Sequence, residues 1–426
     1  MANTSTLGAK LSGANENCWL RMGQLGELMN DMDKALYCYE NTLRHNPYSV
    51  KALMQIASIC RTREQYPKAV EYFQRVLNIE TNNGEVWGAL GHCYLMMDDL
   101  QKAYTAYQQA LYHLPNPKDP NLWYGIGILY DRYGSFDHAE EAFTAVLKMD
   151  AKFEKANEIY FRLGIIYKQQ QKFEQSLKCF RYILSNPPRP LVQGDIHFQI
   201  GHVHELKKDF HSAKEAYERV LKDNPNHAKV LQQVGWLYHH NPQFGNQDVA
   251  ISYLMRSIEA DPSDGQTWYL LGRCYMAQQK YRKAYDAYQQ AVNRDNRNPT
   301  FWCSIGVLYY QINQYRDALD AYSRAIRLNP YLSEVWYDLG TLYESCNQIS
   351  DSLDAYQRAA ELDPANKHIQ QRLNTLRAQL SGNGDIPKGK SSPPTLKEAG
   401  GMPAPIANKM DGMKEPSVPS FSHLVS

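Results

Sequence analysis

The chain has 426 residues, 46 of them basic and 45 acidic, for a net charge of +1. A neutral, mixed surface carries no counterion-release footprint, so direct nucleic-acid binding is not expected. No apolar run approaches the ~20 residues that span a bilayer, and the opening MANTSTLGAKLSG has neither a basic start nor an apolar core. A soluble, intracellular protein with no membrane association is expected. Hydrophobic residues make up 43% and charged residues 21%, but the aromatic content is skewed, with 31 Tyr against 12 Phe.

Residues 1–15 are small and polar with no periodic apolar face, which predicts a disordered arm. From residue 16 the chain repeats itself. Its large first-helix anchors are Trp19, Leu53, Trp87, Trp123, Tyr160, His197, Leu231, Trp268, Trp302 and Trp336, spaced by 34 to 37 residues. Four residues after each anchor comes a small one: Gly23, Ala57, Gly91, Gly127, Gly164, Gly201, Gly235, Gly272, Gly306 and Gly340. The second helix supplies another: Ala35, Ala69, Ala103, Ala139, Ser176, Ala213, Ala250, Ala284, Ala318 and Ser352. Small residues at both places let two helices cross closely, and glycine mid-helix costs roughly 1 kcal/mol against alanine, so its recurrence implies a steric reason. An aromatic plug follows four residues later in nine repeats, with Leu254 in the seventh. Proline just past the second helix (47, 115, 188, 225, 262, 330, 364) stops it.

A fixed period of this kind sets the architecture. The pattern is that of the tetratricopeptide repeat. It predicts an all-α, right-handed superhelical solenoid of ten helix-turn-helix repeats: 16–49, 50–83, 84–117, 120–153, 157–190, 194–227, 228–264, 265–298, 299–332 and 333–366. Extra residues fall at 115–120, 152–157 and 186–195, where the rotation between repeats should change, and at 239–247 inside the seventh repeat, read as a tolerated longer loop. The segment 367–380 carries one apolar stripe (Ile369, Leu373, Leu376, Leu380) and predicts a capping helix. Residues 381–426 turn abruptly Pro/Gly/Ser-rich, which predicts a disordered tail.

Catalytic chemistry needs converging groups. His197, His202, His204 and His211 do not converge: on a helix His197 and His204 lie ~10 Å apart, too far for ligands of one metal ion. The GIG at 125–127 lacks a third glycine and a preceding strand, and no phosphate-loop, HExxH or GxSxG motif occurs. Eight scattered cysteines form no CxxC pair and read as packed, structural positions. No enzyme activity, cofactor or metal is expected. A carboxylate clamp of lysine and asparagine is also absent at the groove-facing places Leu20, Gln24, Met54, Ser58, Gly88 and His92.

The remaining candidate is surface. The groove wall of repeats one to three is predicted to be Asn17, Leu20, Gln24, Glu27, Lys51, Met54, Ser58, Arg61, Glu85, Gly88, His92 and Leu95. A second stretch follows at Tyr124, Ile128, Phe161, Phe198, Trp236, Tyr269, Tyr310 and Tyr337. Several large apolar residues facing one groove suit a bound peptide or helix, although some of these aromatics could instead pack against the next repeat.

Beyond the generic repeat, the run GRCYMAQQKYRKAYDAYQQAVNRDNRNPTFWCSIGVLYYQINQYRDALDAYSRAIRLNP and the YDLGTLYESCNQ that follows resemble the tetratricopeptide subunit of the fungal general transcriptional co-repressor, the Tup–Cyc complex. The NPTFWCSIGVLY and YDLGTLYESCNQ segments are also similar to the repeats of UTX-type histone demethylases. The first resemblance implies a nuclear, non-enzymatic adaptor. Its first repeats would dock a WD-repeat co-repressor subunit, and other repeats would meet sequence-specific DNA-binding transcription factors and chromatin-modifying complexes. The second implies a recruiting module of a chromatin-modifying enzyme. Members of the co-repressor family usually continue into a long, often Gln-rich region, whereas this chain stops at 426.

Overall fold

The computed structural model describes residues 2–114, 117–241 and 244–380. The predicted tail, Pro115 and the middle of the 239–247 loop lie outside the described residues, as does the side chain of Leu380. The described residues form two compact units that meet in sequence between Val192 and Gln193, inside the 186–195 insertion.

The first unit holds five helical hairpins. They are α1 (Ala2–Leu28) with α2 (Met32–His45), α3 (Val50–Thr62) with α4 (Tyr66–Leu77), and α5 (Gly84–Met96) with α6 (Leu100–His113). Then come α7 (Pro120–Arg132) with α8 (Phe136–Met149), and α9 (Ala156–Gln169) with α10 (Phe173–Ile183). The second unit holds five more: α11 (Gln193–Leu206) with α12 (Phe210–Asp223), α13 (Ala228–His240) with α14 (Gln247–Ala260), and α15 (Gly265–Ala277) with α16 (Tyr281–Arg294). They are followed by α17 (Pro299–Gln311) with α18 (Tyr315–Leu328), α19 (Ser333–Ser345) with α20 (Ile349–Leu362), and a last helix, α21 (Lys367–Leu380).

The two small positions do what the pattern requires. A methyl group built on Gly306 would lie 2.6 Å from Cε1 of the Tyr322 plug, and one on Gly340 would lie 2.8 Å from the Tyr356 ring. Both rings are almost wholly buried, so the glycine is where the ring of the second helix rests on the backbone of the first. Where serine replaces alanine, its hydroxyl reaches the bared backbone. Ser176 Oγ donates to the Gly164 carbonyl at 2.7 Å and Ser352 Oγ to the Gly340 carbonyl at 2.8 Å.

In several repeats the anchor tryptophan ties the repeat to the turn before it. The indole N–H donates six residues back, from Trp87 to the Thr81 carbonyl (2.9 Å), Trp302 to Asn296 (3.0 Å) and Trp336 to Pro330 (2.8 Å). A buried indole finds a partner for its donor wherever one is within reach. Arg294 and Arg324 cover the outer faces of Trp268 and Trp302, each 4.8 Å from the ring.

Between the helices of a hairpin the chain turns through a left-handed residue. Asn30, Glu64, Asp98, Gln171, Lys208, Gln279, Asn313 and Asn347 all have φ near +60°, and Gly134 holds the same place in the fourth repeat. This closes the first helix with a 6→1 hydrogen bond, such as Gln65 N–H to the Cys60 carbonyl.

Residues 2–15 correct one expectation. They were predicted to be a disordered arm and are instead the beginning of α1. They contain no proline, and extending a helix already nucleated by the first repeat costs little. Ser12 Oγ also ties this extension to the His45 carbonyl at 3.1 Å. At the other end, Ile369, Leu373 and Leu376 of α21 are buried against Tyr356 and Ala359, as the stripe predicts.

Candidate functional site: the cleft of repeats two to four

Within the first unit the first helices lie side by side, α5 touching α7. Helix side chains four residues apart share a face, so Met54 and Ser58 of α3 and Gly88 and His92 of α5 project into one concavity. The cleft there has a volume of about 690 Å³, within the usual range for ligand sites. Arg61, Glu85 and Tyr124 line it as well. Seven of the groove residues expected from the sequence are therefore brought together: Met54, Ser58, Arg61, Glu85, Gly88, His92 and Tyr124.

Other lining residues were not foreseen. Gln55 and Ala89 contribute from α3 and α5, Asn121 and Leu122 from α7, and the buried plug Tyr107 from α6. Lys155, from the 152–157 insertion, also lines the cleft, its ammonium 4.9 Å above the Tyr124 ring. Phe153 of the same insertion packs on Tyr124 from another side. The sequence signal for Lys155 is the insertion itself, which adds a cleft residue besides any change of rotation.

The electrostatics of the cleft are cationic at its centre. His92 is held neutral, its pKa lowered to about 4 by burial first and then by the charges of Arg61 and Lys155. Neither cation forms an ion pair or hydrogen bond through its side chain with a described residue. Glu85 is exposed, and Asp119 is engaged in capping α7, accepting from Asn121 N–H at 3.0 Å. The positions surveyed for a carboxylate clamp do lack a cation, but Arg61 and Lys155 supply two nearby.

The other expected residues are distributed differently. Leu20 and Leu95 are core residues, 9% and 1% exposed, because each falls on the side of its helix that meets a neighbouring helix. Tyr124, Ile128, Trp236 and Tyr269 are also buried. Asn17, Gln24 and Lys51 are exposed and Glu27 half-exposed, outside the cleft. Phe161, Phe198, Tyr310 and Tyr337 are half-buried. Most of these rings pack on the plug of their own repeat: Phe161 on Phe180, Phe198 on Tyr217, Tyr269 on Tyr288 and Tyr337 on Tyr356. The plug takes one side of each ring, and Phe161, Phe198 and Tyr337 stay half-exposed.

The histidines sit as packing variants. His204, in the tyrosine place, is buried with Nδ1 3.2 Å from the Asp209 carboxylate, and His211 meets Phe244 edge-on. Among the described residues no group of three or more His, Cys, Asp or Glu is placed to hold a metal ion. The 239–247 loop folds back through Phe244, which contacts Tyr238 and lies under the Lys214 ammonium. Among the described residues no helix is long and apolar enough to cross a membrane.

Comparison with known proteins agrees with this architecture. Tetratricopeptide-repeat models match residues 61–124 and 124–190, and the model described as the cilia and flagella-associated protein 70 C-terminal domain matches 191–385. The fold is thus that of a tetratricopeptide-repeat protein. The chain is 80% identical over 291 residues to the general transcriptional corepressor trfA of Dictyostelium discoideum, covering 68% of this chain and 21% of that protein. It is 72% identical over 292 residues to the general transcriptional corepressor ssn6 of Schizosaccharomyces pombe, covering 68% and 26%. It is 58% identical over 284 residues to the general transcriptional corepressor CYC8 of Saccharomyces cerevisiae, covering 66% and 29%. The co-repressor resemblance read in the sequence is borne out. The chain spans less than a third of the length of these relatives, which are named as corepressors and not as enzymes.

Proposed function

We propose that this chain is the repeat scaffold of a general transcriptional co-repressor, non-enzymatic and acting in the nucleus. The observation that carries the reading is the 80%, 72% and 58% identity to named corepressors across about two thirds of the chain. Interaction is the chemistry a tetratricopeptide array offers: rigid hairpins holding side chains along a concave wall.

In this reading the cleft of repeats two to four docks a WD-repeat co-repressor subunit, and other repeats meet sequence-specific DNA-binding transcription factors. The cleft is supported as the principal contact because it is the concavity where exposed and half-buried groove residues converge, Met54, Ser58 and His92 among them. Affinity purification of the tagged chain from nuclear extract should recover a WD-repeat subunit. Recovery of a demethylase subunit with its activity, and of no WD-repeat protein, would replace this reading with that of a recruiting module.

A further inference from the structure

The geometry points to a specific chemistry for that docking: the cleft seats an acidic side chain of the partner's docking segment between Arg61 and Lys155, beside His92. This inference rests on the docking reading and adds what the cleft recognises.

Two observations converge on an anionic group. Arg61 of α3 and Lys155 of the 152–157 insertion come from elements far apart in sequence, face one concavity, and have no side-chain ion-pair or hydrogen-bond partner among the described residues. Other arginines of the same unit do have partners, as Arg63 does with Asp33 and Arg132 with Asp98. The ring of Tyr107, 1% exposed, lines the same cleft, while its hydroxyl lies against Gly125 of α7. His92, neutral in the cleft, brings an imidazole N–H as a further donor. Arg61 is half-buried in the cleft lining and Lys155 is exposed at its edge.

What is missing from this set is an acceptor bearing negative charge. A carboxylate on a flexible side chain supplies two acceptor oxygens, enough to meet a guanidinium and a second donor together. Glu85 and Asp119 do not fill that role, since neither lies in ion-pair contact with the two cations.

The test uses the whole chain and a fluorescein-labelled tetraglutamate peptide, acetylated and amidated so that its side chains are its only carboxylates. Fluorescence polarisation should show binding that weakens about 10-fold between low and moderate salt, as a charge-driven contact does. Arg61→Gln and Lys155→Gln should each weaken it by about 10-fold, while Arg316→Gln in the second unit leaves it unchanged. Both replaced side chains lie in the cleft lining and not in the core, so circular dichroism should confirm unchanged helicity. The His92 imidazole resonances give an independent readout: peptide binding should raise its pKa, because a carboxylate offsets the two cations.

Tetraglutamine binding as well as tetraglutamate, or variants that bind tetraglutamate like the parent, would overturn the inference. Stronger binding by tetra-alanine with a free C-terminus, lost in the same variants, would overturn the side-chain form in favour of a chain terminus. Recovery of the WD-repeat subunit from extract alongside a failed peptide test would leave the docking reading standing and this one refuted.

Discussion

Gly306→Ala tests the packing argument at a single methyl group. The added Cβ would lie 2.6 Å and 2.7 Å from two atoms of the Tyr322 ring, about 1 Å inside the contact distance at which carbon atoms attract. Tyr322 is 1% exposed and packed among Val335, Leu339 and Leu342, so its ring has nowhere to retreat without moving the neighbouring hairpin. Overpacking of this kind costs about 2–3 kcal/mol, and the better helix propensity of alanine returns about 1 kcal/mol. The net loss should be about 1–2 kcal/mol. Gly13→Ala is the control, because a methyl there meets nothing within 4 Å; it should stabilise by about 0.5–1 kcal/mol. Urea unfolding followed by far-UV circular dichroism reads both as shifts in midpoint. If Gly306→Ala stabilises the protein as Gly13→Ala does, the contact of plug and glycine is not what holds the hairpin closed.

Other expected outcomes can be checked with the same material. Lys208, at φ +64°, occupies a conformation that costs a side-chain-bearing residue about 1–2 kcal/mol, so Lys208→Gly should raise the urea midpoint by the equivalent of about 0.5–1 kcal/mol. Of the eight thiols only Cys18 and Cys346 are exposed, while burial pushes Cys93 up to about 11 and Cys274 up to about 12. A native thiol titration should therefore show two fast groups and reveal the rest only on unfolding; rapid reaction of Cys93 would contradict the packing. Among the described residues Asp338 accepts only from the Cys303 thiol, at 3.5 Å, and burial, with a smaller contribution from Glu334, pushes its pKa up to about 7. Its raised folded pKa means that stability is lost as pH rises from about 4 through 7, where the ionised form is penalised. Asp338→Asn should then stabilise by about 2 kcal/mol at pH 8, after allowing for partial exposure of the side chain. That gain should fade toward pH 4, and thermal unfolding across this range tests the sign.

The fold was largely legible because its determinants are local and repeated. Gly306 with Tyr322, and Gly340 with Tyr356, lie at fixed spacing within one hairpin, and the period multiplies the signal. The left-handed turn residues were not legible, because Glu64, Gln171 and Lys208 carry no preference that announces them; hairpin closure imposes the conformation. The helix at residues 2–15 was missed because its stability comes from continuity with the first repeat and not from an apolar face. At the site, periodicity found the wall of the cleft but not its depth. Leu95 shares α5 with the cleft residues Glu85, Gly88 and His92, yet a rotation of a fraction of a turn sends it into the core, and Leu20 is buried in α1, which contributes nothing to the cleft lining. Lys155 lies outside the period altogether, so only the folded chain brings it over Tyr124. Charged substitutions of Leu20 or Leu95 would therefore report on folding, and Met54, Ser58 and His92 are the places to probe docking.

The most direct measurement places a photo-crosslinking amino acid at Ser58, half-buried in the cleft wall, and in parallel at Tyr112, exposed on α6 and absent from the cleft lining. Irradiation in nuclear extract, followed by mass spectrometry, should trap a WD-repeat subunit from position 58 and not from position 112. A WD-repeat adduct at position 112 with none at position 58 would contradict the account.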